Sequence, residues 1–363
     1  MSAELLEGSE ALAKAMISAG CRFFAGYPMT PFTEVLEGMA KHLPEVGGTC
    51  INAESELEAI GMAWGAAAGG VRAATGSVGQ GLSLMQESIA EMCFARLPLV
   101  VLNMARGQGD YFQATRGGGH GDYRTIALAP ADLTEAVSLI QQAFHFADRF
   151  RNPVLFMGDY YLAHVIEAVD TGPAEFEPLP AKDWLLDGST SGSGKARIIS
   201  PLMPVKRNAE VFVEYGDYLE TSGDKIAKME QGMAPLYEAG FCEDAEYVVV
   251  SYGTPARIIR YAVKQLREQG IRAGFFRPIS LWPFPSSALA DATWSAKAVG
   301  VYELNAGQMV DDVRLALRDR EVESIGGISF DDSGFGIAPE LTPAKVEVRI
   351  RDAMSRLGME VAV

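Results

Sequence analysis

Four short stretches of this chain carry side chains that could do chemistry. The first is Gly26-Tyr27-Pro28-Met29-Thr30-Pro31-Phe32-Thr33-Glu34, a proline-punctuated turn between an apolar run and an amphipathic one. Turns that follow strand C-termini line the ligand crevice of open parallel sheets. Thr30 is therefore a candidate to present a hydroxyl there, with Tyr27 and Pro28 as wall, and Thr33 a candidate helix cap. A plain capped turn fits those residues equally well. The second stretch is Ala53-Glu54-Ser55-Glu56-Leu57-Glu58, which opens an alanine- and glycine-dense helix ending at Gly69. Carboxylates in a first turn are favoured by the helix dipole, and that accounts for most such clusters. It does not explain why Glu56 leads so apolar a helix.

Third, Arg106 stands just after residues 97–104, a continuous apolar run that reads as a strand buried on both faces. A guanidinium at such a strand end suits a carboxylate, which it grips with two parallel hydrogen bonds. A structural ion pair is the competing account. Fourth, residues 108–124 are glycine-rich, polar and without periodicity, and loops this long in compact domains are usually functional. Within them His120 is either a proton shuttle or a loop hydrogen-bonder. The loop Gly76-Ser77-Val78-Gly79-Gln80-Gly81 resembles a phosphate cradle, but no lysine follows, so a P-loop is excluded.

These residues need elements to position them. Helices are expected at 10–18, 53–69, 81–95, 132–150, 215–236, 254–270 and 342–357, with a shorter one ending at 317. Strands are expected at 48–51, 71–75, 97–104, 125–128, 153–158, 247–251, 273–276 and 298–303, besides the run before the opening turn. The alternation makes the fold class α/β, with two doubly wound parallel-sheet domains. Residues 1–167 form the first, 168–244 an extended linker or arm, and 245–363 the second. Gly188-Ser189-Thr190-Ser191-Gly192-Ser193-Gly194-Lys195 is a flexible linker by composition.

Composition narrows the function. With 363 residues the chain exceeds what one core usually supports. It is 48% hydrophobic with a net charge of −16, which disfavours nucleic acid and anionic membranes as partners. No run approaches the roughly 20 apolar residues of a membrane span, and Glu4, Glu7 and Glu10 interrupt any leader-like stretch. A cytoplasmic location is expected. Cys21, Cys50, Cys93 and Cys242 form no C-x-x-C pair, so no zinc, iron–sulfur or other metal ligand set and no disulfide framework is expected in this chain.

Several motifs carry a resemblance. The Gly-Tyr-Pro-Met-Thr-Pro run, Glu54-Ser55-Glu56, Arg106, Gln113-Ala114-Thr115-Arg116-Gly117-Gly118-Gly119-His120-Gly121-Asp122-Tyr123-Arg124, Arg277-Pro278-Ile279-Ser280-Leu281-Trp282-Pro283-Phe284-Pro285 and Glu303-Leu304-Asn305-Ala306-Gly307-Gln308-Met309 occur in this order. Together they resemble the α subunit of 2-oxoacid:ferredoxin oxidoreductases, most closely its 2-oxoglutarate and 2-ketoisovalerate branches. The resemblance implies a pyrimidine-type thiamine-diphosphate-binding domain followed by a transketolase C-terminal-like domain. It implies oxidative decarboxylation of a 2-oxo acid to acyl-CoA and CO2. Glu56, with Glu54 second, would hydrogen-bond the aminopyrimidine of thiamine diphosphate, Tyr27 and Pro28 would border the cofactor, and Thr30 and Arg106 would contact the substrate, with His120 nearby.

The family's Gly-Asp-Gly…Asn motif for diphosphate and Mg2+ is missing here, as are cluster cysteines. The resemblance therefore implies a β subunit carrying the diphosphate and Mg2+ site, γ and ferredoxin-like subunits carrying [4Fe-4S] clusters, and ferredoxin or another acceptor. Coenzyme A would be co-substrate, and the assembly a hetero-oligomer, a dimer of protomers. Two departures stand out. Where the family has a longer insert near its active site, only Gly107-Gln108-Gly109-Asp110-Tyr111-Phe112 follows Arg106, and residues 329–337 lack the usual Gly-Arg-x-Gly-Gly ending. The alternatives are a non-catalytic scaffold paralogue and a non-redox thiamine-dependent lyase or synthase subunit. Retention of Thr30, Glu56 and Arg106 together argues against the scaffold.

Overall fold

The computed structural model describes residues 3–182, 184–185, 215–327 and 341–359. The linker at 188–195 and the segment at 329–337 lie outside the described residues. The chain begins with β1 (Glu4–Glu7) and α1 (Gly8–Ser18), then runs β2 (Phe23–Gly26), α2 (Thr33–His42), β3 (Thr49–Asn52), α3 (Glu56–Ala68), β4 (Ala73–Ser77), α4 (Gly79–Ala95) and β5 (Leu99–Ala105). After it come α5 (Tyr111–Thr115), β6 (Ile126–Leu128), α6 (Leu133–Phe150), β7 (Pro153–Asp159), α7 (Tyr160–His164) and β8 (Ile166–Val169). Beyond α8 (Tyr215–Gly232) come β9 (Tyr237–Gly240), β10 (Tyr247–Val250), α9 (Gly253–Glu268), β11 (Ala273–Pro278), β12 (Ser280–Trp282), α10 (Ser286–Ala292), β13 (Ala298–Val301), α11 (Met309–Ala316), β14 (Glu321–Ser324) and α12 (Pro343–Arg356).

Seven strands form the first sheet in the order β12-β6-β7-β5-β4-β2-β3, parallel except for the β12–β6 pair. Every residue of β5 is buried, which is why its sequence is apolar without alternation. From β2 the chain steps outward to β3, then crosses back to β4 on the other side of β2. Right-handed crossovers running in opposite directions put α2 and α3 on opposite faces of the sheet. The strand order therefore reverses between β2 and β4, and a crevice opens above their C-terminal ends.

A second sheet has the order β14-β13-β10-β11-β9, parallel apart from the β9–β11 pair. One face of it has its own core, built on Tyr247, Val249, Ile259, Val263, Phe275 and Ile350 among others, while the other face, with Val248, Val250, Phe276, Val299 and Val301, joins the core of the first unit. The sheets interleave along the chain. β9, in the span expected to be arm, is a strand of the second sheet, while β12 leaves the second unit to extend the first. From α8, Met229 and Met233 enter the first core, and Lys225 Nζ donates to the carbonyls of Cys93 and Arg151. The buried Arg277 guanidinium joins Glu135 at the start of α6 to Glu238 on β9, at 2.6 and 2.9 Å. Among the described residues no helix is long and apolar enough to cross a membrane.

Candidate functional site

Four turns meet above the switch point, each following one of the adjacent strands β5, β4, β2 and β3. The turn after β2 is set by Phe32. Its ring is buried, stacks on Phe24 at 6.0 Å between centroids, and fills the space that a side chain at Gly26 or Gly76 would occupy. Those glycines are register partners on β2 and β4, so the turn closes only because both strand ends lack a Cβ. Thr33 does not cap α2. The N-cap is Phe32, without a side-chain cap bond, and the Phe32 carbonyl accepts from the amides of Val35 and Leu36 at 3.0 and 3.2 Å, the donors a Thr33 cap would take. With those donors satisfied by backbone, the threonine hydroxyl is not needed. Thr30, Tyr27 and Pro28 are exposed on the crevice side of the fold.

The turn after β3 sorts the three carboxylates. Ser55 is the N-cap of α3 and accepts from Leu57 N at 3.2 Å, and its hydroxyl donates to Glu58. This is the Ser-x-x-Glu capping arrangement. It holds Glu58 outside, and Glu54 lies exposed before the helix rather than on its first turn. Glu56, the first helical residue, turns inward and is 2% exposed. There Ser77 Oγ, at the end of β4, donates to Glu56 Oε1 at 2.7 Å. Gly81, at the start of α4, closes the pocket from below: a Cβ there would collide with Ser77 Oγ and Glu56 Oε1. The glycine loop read as a failed phosphate cradle is thus the seat of a carboxylate.

Arg106 follows β5 and is half-buried. Its Nε donates to the Thr30 carbonyl at 3.0 Å, and among the described residues no carboxylate pairs with it. The structural ion pair that competed with a substrate role is therefore not present there. Next to it, Asn103 Nδ2 donates to Asp110 Oδ2 at 2.9 Å. Burial pushes the Asp110 carboxyl above its ordinary range, and the Asn103 hydrogen bond opposes that rise.

His120 is not brought to this group. It pairs with Glu91 at 3.0 Å and packs beside Phe94. Glu91 lies on α4 well beyond Gly79, a rise of about 18 Å from the strand ends. The structure thus gathers Thr30, Glu56 and Arg106 and leaves His120 apart. Ser77 and Gly81 escaped sequence reasoning. The usable signal was Ser55-x-x-Glu58, which assigns one carboxylate to the cap and frees Glu56 for burial.

A carboxyl with one oxygen held by a buried hydroxyl, in a pocket walled by glycine, fits the hydrogen-bonding edge of an aminopyrimidine. Among the described residues no group of three His, Cys, Asp or Glu side chains comes together.

The family described as pyruvate flavodoxin/ferredoxin oxidoreductase, thiamine diphosphate-binding, matches residues 14–234, and pyruvate:ferredoxin oxidoreductase core domain II matches residues 245–332. The chain is 35% identical over 336 residues to the ketoisovalerate oxidoreductase subunit VorB of Methanothermobacter thermautotrophicus, covering 90% of this chain and 93% of that protein. It is 36% identical over 362 residues to the 2-oxoglutarate synthase subunit KorA of Methanocaldococcus jannaschii, covering 90% and 96%. The 2-oxoglutarate:ferredoxin oxidoreductase of Magnetococcus marinus, solved with 2-oxoglutarate, coenzyme A and succinyl-CoA bound, shares the fold. Its TM-score is 0.81 at 22% identity, over 97% of this chain and 65% of that one. A split-gene transketolase has a TM-score of 0.58 at 15% identity. This chain, with its crevice carboxylate inside the matched segment, belongs to the thiamine-diphosphate-binding pyruvate flavodoxin/ferredoxin oxidoreductase family.

Proposed function

We propose that this chain supplies the pyrimidine half of a thiamine-diphosphate site in a 2-oxoacid:ferredoxin oxidoreductase. The reaction is the oxidative decarboxylation of a 2-oxo acid to acyl-CoA and CO2, with electrons passed to iron–sulfur clusters in partner chains. The observation that carries the reading is the Glu56 carboxyl, buried at the switch-point crevice and held by Ser77. Thiamine diphosphate, when bound, supplies the electron sink for the decarboxylation. With the cofactor bound, the Glu56 carboxyl would hydrogen-bond a ring nitrogen of the aminopyrimidine. Ser77 fixes which carboxylate oxygen faces that ring. Tyr27 and Pro28 border the ring, and Glu54 stands exposed at the rim. The Thr30 hydroxyl and the Arg106 guanidinium hold the substrate carboxylate. His120 has no part in this arrangement.

The relatives are named as subunits, and the site here is open on one side. We assign the missing side to a β subunit that brings the diphosphate and Mg2+ ligands, with γ and ferredoxin-like chains carrying the clusters, ferredoxin as acceptor, and the assembly cytoplasmic. The outward face of α3 supports this. Leu57 and Met62 are exposed on it, and among the described residues nothing lies within 4 Å of a Cβ at Gly61 or Gly65. Reconstitution with the partner chains tests the reading. Glu56→Gln should leave assembly intact and abolish 2-oxo-acid-dependent viologen reduction; near-normal turnover in that variant would overturn it.

A further inference from the structure

Between Arg106 and α5 the chain passes through Gly107, Gln108, Gly109 and Asp110, and here the second unit holds it. Gln108 is 6% exposed, and each of its polar atoms is engaged. Its backbone N–H donates to the Leu304 carbonyl at 3.1 Å. Its own carbonyl accepts from Asn305 Nδ2 at 2.7 Å and from the Tyr252 hydroxyl at 3.3 Å. The side-chain Nε2 donates to the Tyr252 carbonyl at 2.9 Å, and Oε1 accepts from Leu304 N at 2.8 Å. One residue on, the Gly109 carbonyl accepts from Gln308 Nε2 at 2.8 Å, and Phe112 N donates to Gln308 Oε1 at 2.9 Å.

All of these partners lie in the two turns that follow β10 and β13 of the second sheet. The fit is close. A Cβ added at Gly253, whose φ is +65°, would lie 3.4 Å from Gln108 Nε2, and one at Gly107 would sit 3.3 Å from the Leu304 carbonyl. Tyr252, buried near Asp110, Asp159 and Glu303, stays protonated because burial and those acids push its hydroxyl well above the usual range, so it remains a donor to Gln108.

We propose that Gln108 is a positioning residue for Arg106: it fixes the substrate-side guanidinium against the second unit and thereby sets affinity for the 2-oxo acid. The proposal rests on reading Arg106 as the carboxylate anchor. Upstream, Arg106 is fixed by β5; two residues downstream it is fixed by Gln108. A planar guanidinium recognises a carboxylate only when its fork is held in register. Removing the Gln108 side chain leaves a buried N–H at Leu304 and a buried carbonyl at Tyr252 unpaired. The bridge then loosens and the fork with it, while Glu56, on the far side of the crevice, keeps its partner.

The test uses the reconstituted complex with Gln108→Ala and Gln108→Glu, read by KM for the 2-oxo acid and by the inhibition constant of an unreactive saturated carboxylate of the same length. Gln108→Glu keeps the acceptor for Leu304 and loses the donor for Tyr252, so it carries the test if the alanine variant does not assemble. Both constants should rise roughly tenfold, the loss of about one such hydrogen bond, with kcat much less affected. In an Arg106→Ala background the same substitutions should add nothing. Unchanged constants, or an equal rise in the Arg106→Ala background, would overturn the proposal. Unchanged constants in Arg106→Ala alone would instead overturn the reading of Arg106 on which it stands.

Discussion

Arg106 Nε donates to the Thr30 carbonyl across 3.0 Å, yet the strands that deliver the two residues are not neighbours: β4 lies between β5 and β2. The guanidinium therefore spans the end of β4, where Ser77 holds Glu56. One wall of the crevice thus links the substrate side to the carboxylate side. Arg106→Ala should raise KM for the 2-oxo acid by about tenfold to a hundredfold, the range for one charge-assisted hydrogen-bonding group, with a smaller effect on kcat. Arg106→Lys should not restore it, because an ammonium cannot both hold the Thr30 carbonyl and fork a carboxylate. Steady-state kinetics of the reconstituted complex decides this, and an unchanged KM would place the anchor elsewhere.

Gly81 gives a second handle on Glu56 without altering a polar group. Alanine is the better helix former by about 1 kcal/mol, so propensity alone favours Gly81→Ala. The added methyl would strike both Ser77 Oγ and Glu56 Oε1, and the carboxyl must move. We expect a folded chain whose complex loses at least about a hundredfold in kcat, since misplacing a catalytic group by an ångström costs about that much. Ser77→Ala, which leaves the carboxyl in place but unpartnered, should cost less. Viologen reduction measured beside the thermal midpoint separates misplacement from unfolding. Wild-type turnover in Gly81→Ala would show that the position of Glu56 is not critical.

What was legible in the sequence was local. The buried parallel strands β5, β7, β10 and β13 announced themselves as apolar runs, and the inward turn of Glu56 is written in the capping residues around it. Pairing across the chain was not legible. β9 and β12 are short and antiparallel, and only their distant partners make them strands. Arg277 finds Glu135 on α6 and Glu238 on β9, so nothing near it in sequence marks its burial. Thr33 looked like a cap because its type is right, but the Phe32 carbonyl takes the donors it would have capped. His120 stood in a glycine-rich loop that reads as functional; the loop runs back along α4 and delivers it to Glu91. Gln108 carried no signal, because its partners lie nearly 150 residues or more further along.

The exposed face of α3 makes a prediction about assembly. Gly61 and Gly65 sit mid-helix, where glycine costs roughly 0.5–1 kcal/mol relative to alanine. Among the described residues nothing requires them, since the space beyond each is open. Leu57 is 49% and Met62 36% exposed on the same helix, one and six residues after Glu56. An exposed face that lacks side chains at two successive turns, with Leu57 and Met62 on it beside Glu58, is suited to close backbone approach by another subunit. Gly65→Ala should therefore stabilise the isolated chain by about 0.5–1 kcal/mol, seen as a higher thermal midpoint. Gly65→Arg should fold equally well, because its side chain points into open space, but should fail to co-purify with the β partner and show no turnover. Were the arginine variant to assemble and turn over like wild type, this face would be open to solvent in the complex and the β subunit would have to reach Glu56 from another side.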